Sequence, residues 1–137
     1  MPSLAEVVSR MRLEVPRHPL DEQVELAGET FAIKGIKKVF REHKMPIHDD
    51  GSTLEDLQCI LAPEPWNPHD TNAVAVMVGA HQVGYLPADL ARDYARPLAA
   101  LANSGVLATG SARIWAKTDA GVARARVTVL IPEAEQF

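Results

Sequence analysis

The spacing of apolar residues changes several times along the chain, and each change marks an element. Leu4, Val7, Val8 and Met11 recur at helical spacing until Pro16 and Pro19 interrupt them, so residues 1–20 read as a short helix plus linker outside the main fold. Residues 24–28 alternate weakly and predict a first strand, ending at Gly28 where the chain can turn freely. Next, Ile33, Ile36 and Phe40 fall on one side of a helix whose other side carries Lys34, Lys37, Lys38 and Arg41, with Gly35 weakening its first turn. A strand is expected at 57–61. The run AVAVMV (73–78) is short and β-branched, which fits a strand buried on both faces. Residues 81–86 form another short strand, closed by Pro87 at a position suited to a helix start. Leu90, Tyr94, Leu98 and Leu101 then return to helical spacing, with Pro97 expected to kink or split that helix.

The chain ends in a hairpin pattern. Segments 106–117 and 122–131 alternate around Thr118-Asp119-Ala120-Gly121, where Gly121 can adopt positive φ. A turn centred there sets Trp115 opposite Arg124 and Arg113 opposite Arg126. One face then carries Arg113, Trp115, Lys117, Arg124 and Arg126. The other carries Ala112, Ile114, Ala116, Ala125, Val127, Val129 and Ile131, and belongs to the core. Several short strands, one or two helices and no βαβ rhythm predict a mainly β protein, a small barrel decorated with helices. The expected division is 1–22 as N-terminal helix and linker, 23–132 as barrel and 133–137 as tail.

Composition narrows the function classes. With 137 residues and 47% hydrophobic content, the chain can fill one compact core. A net charge of −4 rules out an all-over cationic coat, so any nucleic-acid site must be local. Such a locality exists, because residues 33–44 hold Lys34, Lys37, Lys38, Arg41 and Lys44 against Glu42 alone. Asp49, Asp50, Glu55 and Asp56 follow on what reads as a solvated Gly-Ser loop. The single cysteine, Cys59, sits in an apolar run and can form neither an internal disulfide nor a thiolate cluster, which suits a reducing compartment. The N-terminal stretch, interrupted by Glu6, Arg10, Arg12 and Glu14, has neither a signal-peptide core nor a membrane span. The protein is expected to be soluble and cytoplasmic.

The densest chemistry lies in EPWNPHDTN (64–72). Pro68 holds Asn67 extended and presets φ for a turn, and Asp70 can accept a hydrogen bond from the amide two residues on. Turn formation accounts for Asn67, Pro68, Asp70 and Asn72, but not for Trp66 and His69.

Together, VELAGETF (24–31), LAPEPWNPHDTNAVAV (61–76) and HQVGYLPADLA (81–91) resemble, in order and spacing, the HIRAN domain, which occurs alone in bacterial proteins and fused to helicases and other DNA-processing enzymes. The resemblance covers residues 24–131. It implies an OB-like, six-stranded β-barrel with one or two accessory helices, acting in DNA repair or processing by binding single-stranded DNA at a free 3′ end. It places Phe31 where the family has an aromatic that stacks on a base, and His69 and Asp70 at the turn approaching the terminal sugar hydroxyl. The chain departs from the family at Thr30, where well-studied members carry an arginine, at His69, which replaces a tyrosine, and at Ala88, near a position basic in some relatives. Losing that arginine removes a contact to phosphate of about 1.5–3 kcal/mol.

The expected DNA-binding set is Thr30, Phe31, Lys34, Lys37, Lys38, Trp66, Asn67, His69, Asp70, Asn72, Tyr85, Arg113 and Trp115. Catalysis is the weaker class. His48, His69 and His81 show no HExxH spacing, and no G-x-S-x-G elbow occurs, so neither catalytic residue, metal nor cofactor is expected. The alternative is a protein-interaction module docking onto a larger nuclease or helicase without touching DNA.

Overall fold

The computed structural model describes residues 3–137. Met1 and Pro2, which the sequence reading included in the N-terminal segment, lie outside them, as does the side chain of Glu29.

Chain order is α1 (Leu4–Ser9), β1 (Arg12–Glu14), β2 (Glu22–Glu25), α2 (Glu29–Glu42), β3 (Ser52–Pro63), β4 (Val74–Val78), β5 (His81–Tyr85), α3 (Ala88–Asn103), β6 (Val106–Asp119) and β7 (Val122–Ile131). A 3₁₀ turn, Ala134–Gln136, follows. The strands form one sheet in the order β2-β7-β6-β3-β4-β5, with β1 added parallel to the start of β6. The protein is mainly β, and its sheet curls into a half-barrel. Ala27, just past β2, exchanges both backbone hydrogen bonds with Tyr85 on β5, so the two edges meet through one bridge. No helix among the described residues is long and apolar enough to cross a membrane.

Helices close the hollow of the sheet. α2 buries Ala32, Ile36, Val39 and Phe40, and α3 buries Ala91, Tyr94, Ala95 and Leu98 against the inward residues of the strands. The Tyr94 hydroxyl donates to the Pro132 carbonyl at 2.6 Å, tying α3 to the end of β7. β4 is buried on both faces, as its composition predicts. Val74, Val76 and Val78 enter the main core, while Ala75 and Met77 pack on the other face with Ile60, Ala62, Leu107 and Val8 of α1.

That second face corrects the reading of residues 1–20 as outside the fold. α1 covers the back of β3 and β4, and Arg12–Glu14 adds a strand that alternation could not reveal in three residues. Among the described residues the sheet therefore has seven strands rather than six.

Three local expectations also change. β3 begins at Ser52 and not at Leu57, because a bulge with Asp56 at φ 55° turns both Leu54 and Leu57 inward although they are three apart. Glu55 and Asp56 thus lie on a strand, not in a loop. α3 runs unbroken through Pro97. The ring removes the amide that would serve the Asp93 carbonyl, and Asp93 is an exposed position of the helix. In the hairpin, the turn is Ala120-Gly121 with φ 50° and 81°, so Trp115 faces Arg126, Lys117 faces Arg124 and Arg113 faces Thr128. The register differs from the expected one by two residues, an even slip that keeps every side chain on its expected face.

Candidate nucleic-acid interface

α2 starts at Gly28, whose left-handed φ of 78° swings the chain out of the sheet beside Tyr85. The helix then follows β5, its first turn near Tyr85 and its last near His81. Contact is closest at Gly35, where an added Cβ would collide with the Gln82 carbonyl oxygen. At the far end His81 Nε2 meets Glu42 Oε1 at 2.6 Å, and this hydrogen bond holds the Glu42 carboxyl below its usual range.

Between helix and strand lies a groove of about 480 Å³ lined by Phe31, Lys34, Lys38, His81, Gln82 and Tyr85, with Gly28 and Gly35 in its wall. Phe31, Lys34 and Lys38 occupy positions i, i+3 and i+7, one flank of the helix. Phe31 is 94% exposed, so the fold gives no account of a phenylalanine there. The groove unites Phe31, Lys34, Lys38 and Tyr85 from the expected set. Gln82 and His81 were missed as groove walls, because alternation marks them only as strand residues.

The turn after β3 is built as its sequence dictates. Asn67 Oδ1 accepts from the His69 and Asp70 amides at 2.9 and 3.2 Å, and Asp70 Oδ1 accepts from the Asn72 amide at 2.9 Å. Asn67 Nδ2 donates to Glu64 Oε1 at 3.1 Å. Glu64 is the buried carboxylate of this region and neighbours the Tyr85 phenol. Burial first, then Glu64, raise the Tyr85 pKa against the opposing hydrogen bond from Gln82. The Glu64, Asn67 and Tyr85 side chains thus join the turn to the groove, a link that no sequence spacing announced. Trp66 and His69 are exposed, and residues 66–72 do not line the groove itself but stand at the same end of the sheet.

The remaining expected residues are dispersed. Thr30 and Lys37 lie on the opposite flank of α2, facing Arg124. Arg113 and Trp115 lie on the outer face of the hairpin, where Arg113 meets Glu55 at 3.3 Å and Arg126 meets Glu25 at 3.2 Å. Trp115 packs its indole over Gly51. The expected cationic face around Trp115 is therefore partly neutralised.

Cys59 is buried, and burial pushes its thiol up to about 12. Among the described residues no group of three His, Cys, Asp or Glu is placed to hold a metal ion.

The family model described as HIRAN domain matches residues 52–132, more than half of the chain. The chain belongs to the HIRAN domain family. HIRAN domains are a DNA-binding family, and the matched range spans the Asn67 turn, Tyr85 and the terminal hairpin. Residues 24–51, with α2 and its lysines, precede it. Two solved structures are similar to this HIRAN chain. The HIRAN domain of human HLTF is 15% identical, with 83% of this chain and 77% of that one covered and a TM-score of 0.40. A Lactobacillus plantarum protein solved by a structural genomics consortium is 16% identical, with 81% and 93% covered and a TM-score of 0.38. A comparison with curated proteins gives no significant match.

Proposed function

We propose that the protein binds single-stranded DNA, at a free 3′ end, through the groove between α2 and β5, in DNA repair or processing. The observation that carries this reading is Phe31, exposed at 94% beside Lys34, Lys38 and the rim of Tyr85. An aromatic with no packing partner stacks on a base of any identity for about 1–3 kcal/mol, and flanking lysines follow the phosphates. On this reading Lys34 and Lys38 take over from the arginine that Thr30 replaces.

End recognition falls to the turn. Asp70 uses one oxygen on the Asn72 amide and retains lone pairs for a sugar hydroxyl, with Trp66, Asn67, His69 and Asn72 around it. A 3′-phosphate there would meet like charge and offer no hydroxyl donor.

Fluorescent single-stranded oligonucleotides ending in 3′-OH or 3′-phosphate, titrated at several salt concentrations, test the proposal. The hydroxyl end is expected to bind tighter by at least the ~1–3 kcal/mol of an unsatisfied polar group. Log affinity should fall against log salt with a slope near −2 to −3, about 0.7 per phosphate engaged. Equal affinity for both ends removes Asp70 from its role. Absence of binding at low salt rejects the DNA reading and leaves the groove to a protein partner.

A further inference from the structure

α2 is flanked by grooves on both sides. The second, about 670 Å³, lies between the helix and the tip of the β6–β7 hairpin, with Thr30, Ile33 and Lys37 on one wall and Val122 and Arg124 on the other. Thr30, Ile33 and Lys37 again sit at i, i+3 and i+7, so the helix presents one such stripe to each groove. Among the described residues the lining of this second groove holds two cations and no carboxylate.

The charges here differ from those further along the hairpin. Arg113 and Arg126 are each held by a glutamate, whereas among the described residues neither Lys37, Arg124 nor Lys117 has a carboxylate within ion-pair distance. Lys117 and Arg124 are direct cross-strand partners. Like charges so placed repel each other and destabilise the hairpin. A phosphate beside Arg124 reverses that repulsion, and the hydroxyl of Thr30 can donate to the same anion.

Resting on the reading of the first groove, we propose that this second groove binds the continuation of the same strand. The chain of nucleotides passes over the first turn of α2, across Phe31, and its next phosphates settle between Lys37 and Arg124. A helix is about 10–12 Å across with its side chains. A single strand crossing that ridge needs nucleotides beyond those that fill the first groove, so a strand reaching both grooves exceeds the shortest that fills one. The site is therefore a track whose affinity grows with strand length.

The test compares 3′-OH oligothymidylates of about 4 and about 12 nucleotides, within the range of site sizes for barrels of this kind. Wild-type protein and the Lys37→Ala/Arg124→Ala double variant, both changed on the surface, are titrated at several salt concentrations. The longer strand should bind wild type more tightly. The double variant should lose that advantage, keep its affinity for the short strand, and show a salt slope shallower by about 1.4 for the long one, two contacts at about 0.7 each. Equal wild-type affinity for both lengths, or equal weakening of both by the double variant, overturns the second groove while leaving the first intact. No binding of either length overturns the DNA reading itself.

Discussion

Gly35 of α2 and Gln82 of β5 meet backbone to backbone, with no room for a methyl group between them. The absence of a side chain at Gly35 sets the helix against the strand and so sets the width of the groove that Phe31, Lys34 and Lys38 border. Ala has the better helix propensity, by about 1 kcal/mol. Here it meets a backbone carbonyl that cannot rotate away, and the overpacking cost of about 1–3 kcal/mol prevails. Gly35→Ala should therefore lower the denaturation midpoint and weaken DNA binding together. A variant more stable than wild type would show that the contact does not constrain the helix.

Phe31 poses the opposite case. Its side chain is almost wholly solvated, so Phe31→Ala should leave stability within about 0.5 kcal/mol of wild type. Oligonucleotide affinity should fall by about 1–3 kcal/mol. Urea melts beside binding titrations separate the two effects, and a stability loss matching the affinity loss would assign Phe31 to packing.

The turn joins both properties. Asn67 satisfies two amides and reaches buried Glu64, so Asn67→Ala should cost about 1–3 kcal/mol of stability from the groups left unpaired. Asp70→Ala removes the Asn72 bond and the proposed hydroxyl acceptor, and is expected to lower thermal stability and end preference alike. Retention of end preference by Asp70→Ala would move recognition to His69 or Trp66.

Much of this layout was legible in the sequence, because periodicity reports faces. Val74–Val78, the Tyr94 and Leu98 stripe and the inward hairpin residues stand where alternation or helical spacing put them. What failed was whatever interrupts a period. The bulge at Asp56 hid the first half of β3, a three-residue strand has no period to detect, and a turn with Ala120 at positive φ moved the hairpin register by two. Within the site, Lys34 and Lys38 were legible as the basic side of an amphipathic helix, and Phe31 only through the resemblance to the HIRAN domain. The walls His81 and Gln82, and the Glu64 link to Tyr85, depend on contacts between elements that no local pattern encodes.

Cys59 offers a reporter of opening. Burial favours its neutral thiol, raising it from 9.0 to about 12. A raised folded pKa contributes stability below the unfolded value, lost as pH climbs from about 9 towards 12. Near pH 8 a thiol reagent should label the folded protein slowly, at a rate set by opening, and denaturant should accelerate labelling sharply. Fast labelling without denaturant would contradict the packing of β3 against β6.

The most direct measurement of the central claim is amide chemical-shift mapping of isotope-labelled protein titrated with a short 3′-OH single strand. Binding through the groove between α2 and β5 predicts the largest perturbations at Phe31, Lys34, Lys38, Gln82 and Tyr85, with a second set at Asp70 and Asn72 that shrinks when the strand ends in a 3′-phosphate. Perturbations centred on Arg113 and Trp115 instead, with Phe31 and Lys34 unmoved at saturation, would contradict it.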